Sequence, residues 1–245
     1  MRKILAVTIF LISLTAEWSH AATFEEANAK YRNGDFKAAA VLYEEMARGG
    51  GSGTVYYDLG DAYFRLGMKG KALVNFRRAF ERLPRDPDVK WNLDLVRATV
   101  PDRVGAFDGH WAVSLAGKAA GFFTMGEICA SITAALVFFL TLILLSVYVP
   151  RLGFLPQMVQ GLVSVFLVAA LALFAFKAYE ERNPAAVVLE KEVYARYGPS
   201  ERETKAFMLR EGAEVRLLDE SKDWFYVSLG GKNPGWIPKG SCEII

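Results

Sequence analysis

The chain has 245 residues, a formal net charge of +2 and 53% hydrophobic side chains. Residues 22–98 carry 13 Lys/Arg against 11 Asp/Glu and residues 185–245 carry 9 against 10, a balance that argues against a phosphate-binding surface for nucleic acid. Of the two cysteines, Cys129 lies in an apolar run and Cys242 near the C-terminus, an arrangement that speaks against an internal disulfide, so the folded parts must be held by packing.

At the N-terminus Arg2 and Lys3 precede an apolar stretch over residues 4–14, and Ser19-His20-Ala21 sets small residues at the −3 and −1 positions of a cleavage site. That pattern predicts a signal peptide over residues 1–21 and export of the soluble parts.

Residues 22–98 read as helical repeats. Tyr56-x2-Leu59-Gly60-x2-Tyr63, then Ala72-x3-Phe76, Ala79 and Pro84 follow the tetratricopeptide pattern, with Tyr at its first position. Leu59 and Tyr63 form an apolar stripe at i, i+4, Gly60 lets the partner helix come close, Phe76 is the knob and Pro84 ends the second helix. Gly67 and Gly70 are assigned to the turn between the two helices. A weaker copy lies 33 residues earlier, where Ala27, Gly34, Ala39, Tyr43 and Met46 match Gly60, Gly67, Ala72, Phe76 and Ala79. A further helix opens at Asp86-Pro87 and, with Trp91 and Leu95, is predicted to cap the stack. The outward positions of the first helices are Asn28 and Arg32 in one repeat and Tyr57, Asp61, Phe64 and Arg65 in the next, the candidate protein-binding residues, with packing against the next helix as the alternative role of Tyr57 and Phe64. Arg77, Arg78, Arg82 and Arg85 read as a solvated basic face.

Residues 99–126 form a linker in which His110-Trp111 and Phe122-Phe123 suit a short interfacial helix. Two charge-free runs follow, at residues 129–149 and 158–176, and predict transmembrane helices over 127–149 and 156–177. Two crossings return the chain to the side it left. In the second span Gly161, Ser164, Ala172 and Ala175 fall within about 80° of one another at roughly 100° per residue, a small-residue face predicted to meet the first span or a partner helix.

From residue 185 the pattern alternates. Short strands are predicted at 187–195, 206–209, 215–218, 224–229 and 236–237, separated by Gly198-Pro199-Ser200, Glu211-Gly212 and two further turns. The order of landmarks over residues 185–245 resembles the bacterial SH3-like domain, a small barrel. Trp224, Tyr226 and Trp236 are its candidate groove residues, with core packing as the alternative role for each Trp.

No catalytic site is expected. The chain after residue 21 has one histidine, His110, and neither Cys/His spacing for zinc nor a Cys–His pair. Gly49 to Gly53 is followed by Thr54, without the lysine a phosphate loop requires. No metal or cofactor is expected.

Helical repeats, a membrane hairpin and a terminal SH3-like domain, in that order, resemble the BatE-like, tetratricopeptide-bearing branch of the Bat (aerotolerance) family. The resemblance implies a multidomain protein with all-α repeats, a two-helix transmembrane hairpin and an all-β barrel, anchored in a bacterial inner membrane with both soluble domains periplasmic. It implies Bat proteins with von Willebrand factor A-type domains as partners, a link to a MoxR-type AAA+ ATPase, and a role in envelope stress or aerotolerance. No catalytic residue is carried over. The alternative reading is a cell-wall module whose barrel recognises peptidoglycan.

Overall fold

The computed structural model describes residues 23–100, 117, 119–149, 154–182, 184–230 and 232–245. The proposed signal peptide, His110-Trp111 and the turn between the spans lie outside the described residues. The chain forms two compact units: Met1–Val104 with Ala185–Ile245, and Gly105–Pro184.

Five helices open the first unit: α1 (residues 23–32), α2 (Phe36–Ala47), α3 (Gly53–Arg65), α4 (Lys69–Arg82) and α5 (Pro87–Thr99). Their starts follow from local chemistry. Asp35 accepts from the Ala38 amide, Ser52 from the Val55 amide, and Asp86 from the amides of Asp88 and Val89 with Pro87 in the first turn, so orphan N–H groups are satisfied in each case. Gly34 and Gly67, 33 residues apart, both have positive φ (80° and 76°) and close equivalent turns. The shift of 33 also relates the core, since Ala27, Ala39 and Tyr43 are buried like Gly60, Ala72 and Phe76. A Cβ on Gly60 would lie 2.9 Å from the Phe76 ring, which is why glycine stands there.

Two expectations change. Gly70 sits in the first turn of α4, where a Cβ would meet the Val188 carbonyl oxygen at 2.7 Å, so it serves close packing and not the turn. In α5 the stack is covered by Val89, Leu93 and Val96, while Trp91 stands 71% exposed, because burial follows the 89/93/96 face.

The C-terminal part of the same unit is a seven-stranded antiparallel sheet: β1 (Ala185–Val188), β2 (Glu192–Arg196), β3 (Lys205–Arg210), β4 (Glu214–Ser221), β5 (Trp224–Leu229), β6 (Lys232–Pro238) and β7 (Cys242–Ile244). Its order is β3-β2-β6-β5-β4-β1-β7. Five strands were expected. The stretch over 187–195 divides because Val188 and Leu189 are held by Ala213, Gly212 and Ser241 while Glu190 and Lys191 turn into solvent. The strand at the C-terminus is three residues long and pairs with β1, 58 residues away at Ala186↔Ile244 and 54 at Val188↔Cys242, with no alternation long enough to signal it. Ala186, Val188, Val193, Ala195, Leu209, Val215, Phe225, Val227 and Ile237 form the sheet's core.

The sheet packs on the helices. Ala186 and Val188 face the sheet's core, while Val187 between them joins the core of the helical stack, with Leu189 and Ile245 packed against it. The Gly70 amide donates to Glu211 at 2.9 Å. Arg97 grips both oxygens of Glu214 (2.6 and 2.9 Å), and Arg78 donates to Glu243 (2.7 Å) and to the Ile244 carbonyl (3.1 Å). Arg78 therefore leaves the expected solvated face: its partner strand arrives from the far end of the sequence.

The second unit is a helical hairpin of α6 (Met125–Tyr148) and α7 (Leu155–Arg182). Both are long and apolar enough to cross a membrane, with mean hydropathy of 2.7 over Met125–Tyr148 and 2.4 over Leu155–Glu180. Thr124 and Glu127 cap α6 reciprocally, and the Lys177 ammonium donates to the carbonyls of Phe123 (2.5 Å) and Ala120 (3.2 Å). The two helices pack against each other, and Ile128, Leu142 and Ala170 are buried. Gly161, Ser164, Ala172 and Ala175 lie on an exposed face, so the small-residue stripe does not make the contact with α6.

Candidate functional site

α1 and α3, the first helices of the two hairpins, and α5, which covers the stack, are joined by side chains. The Tyr31 hydroxyl donates to Asp61, and Arg65 donates to the same Tyr31 oxygen at 3.2 Å. Arg65 also lies 3.8 Å from Asp61, one helical turn before it. Further along, Asn92 of α5 donates to the Tyr57 hydroxyl at 2.7 Å, and the Tyr43 hydroxyl donates to Asn28 at 2.6 Å. The Tyr57 ring packs edge-on against Phe76, 5.7 Å between centroids, which fixes the base of that side chain.

The structure thus brings Asn28, Tyr57, Asp61 and Arg65 into one polar set. Phe64 is half-buried against the helical core, and Arg32 stands exposed with Glu25 3.7 Å away. Tyr31, Asp58 and Asn92 also belong to the set, with no mark in the tetratricopeptide sequence pattern, and Tyr43, a repeat core position, joins it through its hydroxyl. The 33-residue register carried a signal for one of them, because it places Glu25 where the next repeat has Asp58.

Electrostatics follow from partial burial. Burial, with Asp61 adding repulsion, pushes the Asp58 carboxyl up to about 6. Burial raises the Tyr31, Tyr43 and Tyr57 phenols, with Asp61 also acting on Tyr31 and Tyr57, so these hydroxyls stay protonated donors and acceptors. Arg65 is held charged by Tyr31 and Asp61. Such a surface offers hydrogen-bonding groups of both senses and no activated nucleophile.

The sheet has its own aromatic face. Tyr226 and Trp236 stand directly opposite on β5 and β6 and stack at 4.9 Å with 34° between their planes. Arg196 is opposite Trp236 on β2, so it shares that face with Tyr194, two residues before it. Lys205 lies 3.7 Å over the Tyr194 ring. Both Tyr226 and Trp236 are half-buried, as is Trp224, which pairs with Ser221 and Pro238 at the end of its strand. Phe225 and Val227, pointing the other way, form the core.

A recess of about 350 Å³ lies among α2, α3, α4 and Glu243. Its polar groups satisfy one another: Tyr63 donates to Glu44, Tyr56 to the Ala47 carbonyl, Lys71 lies 3.9 Å from Glu44, and Arg78 holds Glu243. Comparison with known protein families and with curated proteins returned no match to this chain.

Proposed function

We propose that the chain is a non-catalytic, membrane-anchored scaffold, in which tetratricopeptide-type repeats and an SH3-like domain hold partner proteins at the outer face of a bacterial inner membrane. The observation that carries this reading is the polar set on α1, α3 and α5. Its side chains are fixed by Tyr31, Tyr43 and Asn92 before any partner arrives, which lowers the entropic cost of binding. The family resemblance makes Bat-type proteins with von Willebrand factor A-type domains the partners, with a MoxR-type ATPase behind them and envelope stress or aerotolerance as the setting.

The test is affinity capture of the full chain from solubilised membranes. Arg32→Ala with Arg65→Ala removes two exposed side chains and should lower partner recovery at least tenfold with the helical signal in circular dichroism unchanged. Full recovery by that double variant would move the binding surface elsewhere.

A second reading rests on the Tyr226–Trp236 pair. Aromatic-lined grooves bind extended peptides, so this half-buried pair suits the peptide part of a cell-wall ligand. Retention on isolated peptidoglycan that is lost in Trp236→Ala, with protein capture intact, would favour it.

A further inference from the structure

We infer that residues 185–245 are an obligatory half of the extramembrane domain, so that the helical stack reaches its native packing only in a chain whose hairpin has been made and whose C-terminal sheet has docked back on α4 and α5. This inference is independent of what the polar set binds.

Three observations carry it. Val187 is fully buried in the helical core although it belongs to a strand, and β1 is covered on both faces. A module that folds by itself presents a hydrated, mostly polar surface to its neighbour, and its strands show one buried face. Next, glycines admit close approach across the junction, to a backbone carbonyl at Gly70 and to a side chain at Gly212. Gly70 lies under the Val188 carbonyl, and a Cβ on Gly212 would meet Val100 at 2.5 Å. Lastly, both ion pairs across the junction are half withdrawn from solvent, and they join residues 117 and 165 positions apart. The Arg97–Glu214 pair is bidentate, the geometry that fixes direction as well as distance.

The consequence is a completion check. α4 packs against α3, which carries Tyr57, Asp61 and Arg65, so loosening α4 loosens the polar set. Removing the sheet would then change the helical surface too, and a deletion of residues 185–245 does not report on the sheet alone.

Reciprocal coupling tests this in the full-length protein in detergent, read by amide hydrogen exchange. Glu214→Arg, made in the sheet, should speed exchange in α4 and α5 at least fivefold. Arg97→Ala, made in the helices, should speed exchange in β1 and β7 by a similar factor, and Arg97→Glu with Glu214→Arg should restore most of the protection in both. Glu220→Lys, which removes the Lys239–Glu220 pair within the sheet, should leave α4 and α5 unchanged. If each junction substitution disturbs only the half in which it sits, the two halves are separate modules and the inference is overturned.

Discussion

Burial beside Asp61 pushes the Asp58 carboxyl up to about 6, against an ordinary aspartate near 3.9. The folded protein therefore holds this proton more tightly than the unfolded chain does. Its contribution to stability is fully present below about pH 4 and is lost as pH rises through about 6. Asp58→Asn should melt above the wild type at pH 7, with the difference closing toward pH 4; parallel profiles from thermal unfolding in detergent would exclude this titration. A neighbouring residue gives the contrast. Leu59 is buried and its truncation to Ala should cost about 2–5 kcal/mol, whereas Arg65→Ala, at an exposed position, should stay within about 0.5 kcal/mol in denaturant titration. The stripe of Tyr57, Asp61 and Arg65 was legible in sequence because it lies on one helix, where spacing of four residues fixes the face. Tyr31 and Asn92 were not, because their bonds to that stripe span 30 and 35 residues and depend on how helices stack.

At the scale of elements, local chemistry shows through wherever it decides the outcome. Asp86-Pro87 starts α5 as its sequence requires, and Gly34 and Gly67 mark equivalent turns. Where packing decides, sequence is a poor guide. Trp91 is apolar yet exposed, and the break between β1 and β2 follows from the bonds that Ala213, Gly212 and Ser241 make to Val188 and Leu189 before the exposed Glu190-Lys191 turn. The membrane-length hairpin offers a direct test of the same point. Ala170 is buried while Gly161 faces outward with open space around it. Ala170→Leu should therefore overpack the helix contact, at about 1–3 kcal/mol, and Gly161→Leu should not, measured by unfolding of the hairpin in a titration of denaturing detergent. Equal losses would mean that the small-residue face carries the contact after all.

The whole molecule joins one compact unit, made from both flanks of the chain, to a pair of helices long and apolar enough to cross a bilayer. Docking through Arg97–Glu214, Arg78–Glu243 and Val187 requires that the segments before and after the hairpin share one side of the membrane, the condition that two crossings satisfy. A reporter enzyme active only after export distinguishes the arrangements. If the basic, apolar start of the chain acts as the export signal proposed above, a fusion after Thr99 or after Ile245 should be active, and one after Arg151, between the two helices and outside the described residues, should be silent. Silence at both Thr99 and Ile245 with activity at Arg151 would keep the docked unit and reverse its side, which removes the periplasmic assignment. Opposite readings at Thr99 and Ile245 would go further, since residues on two sides of a bilayer cannot form the ion pairs that join α4 and α5 to the sheet.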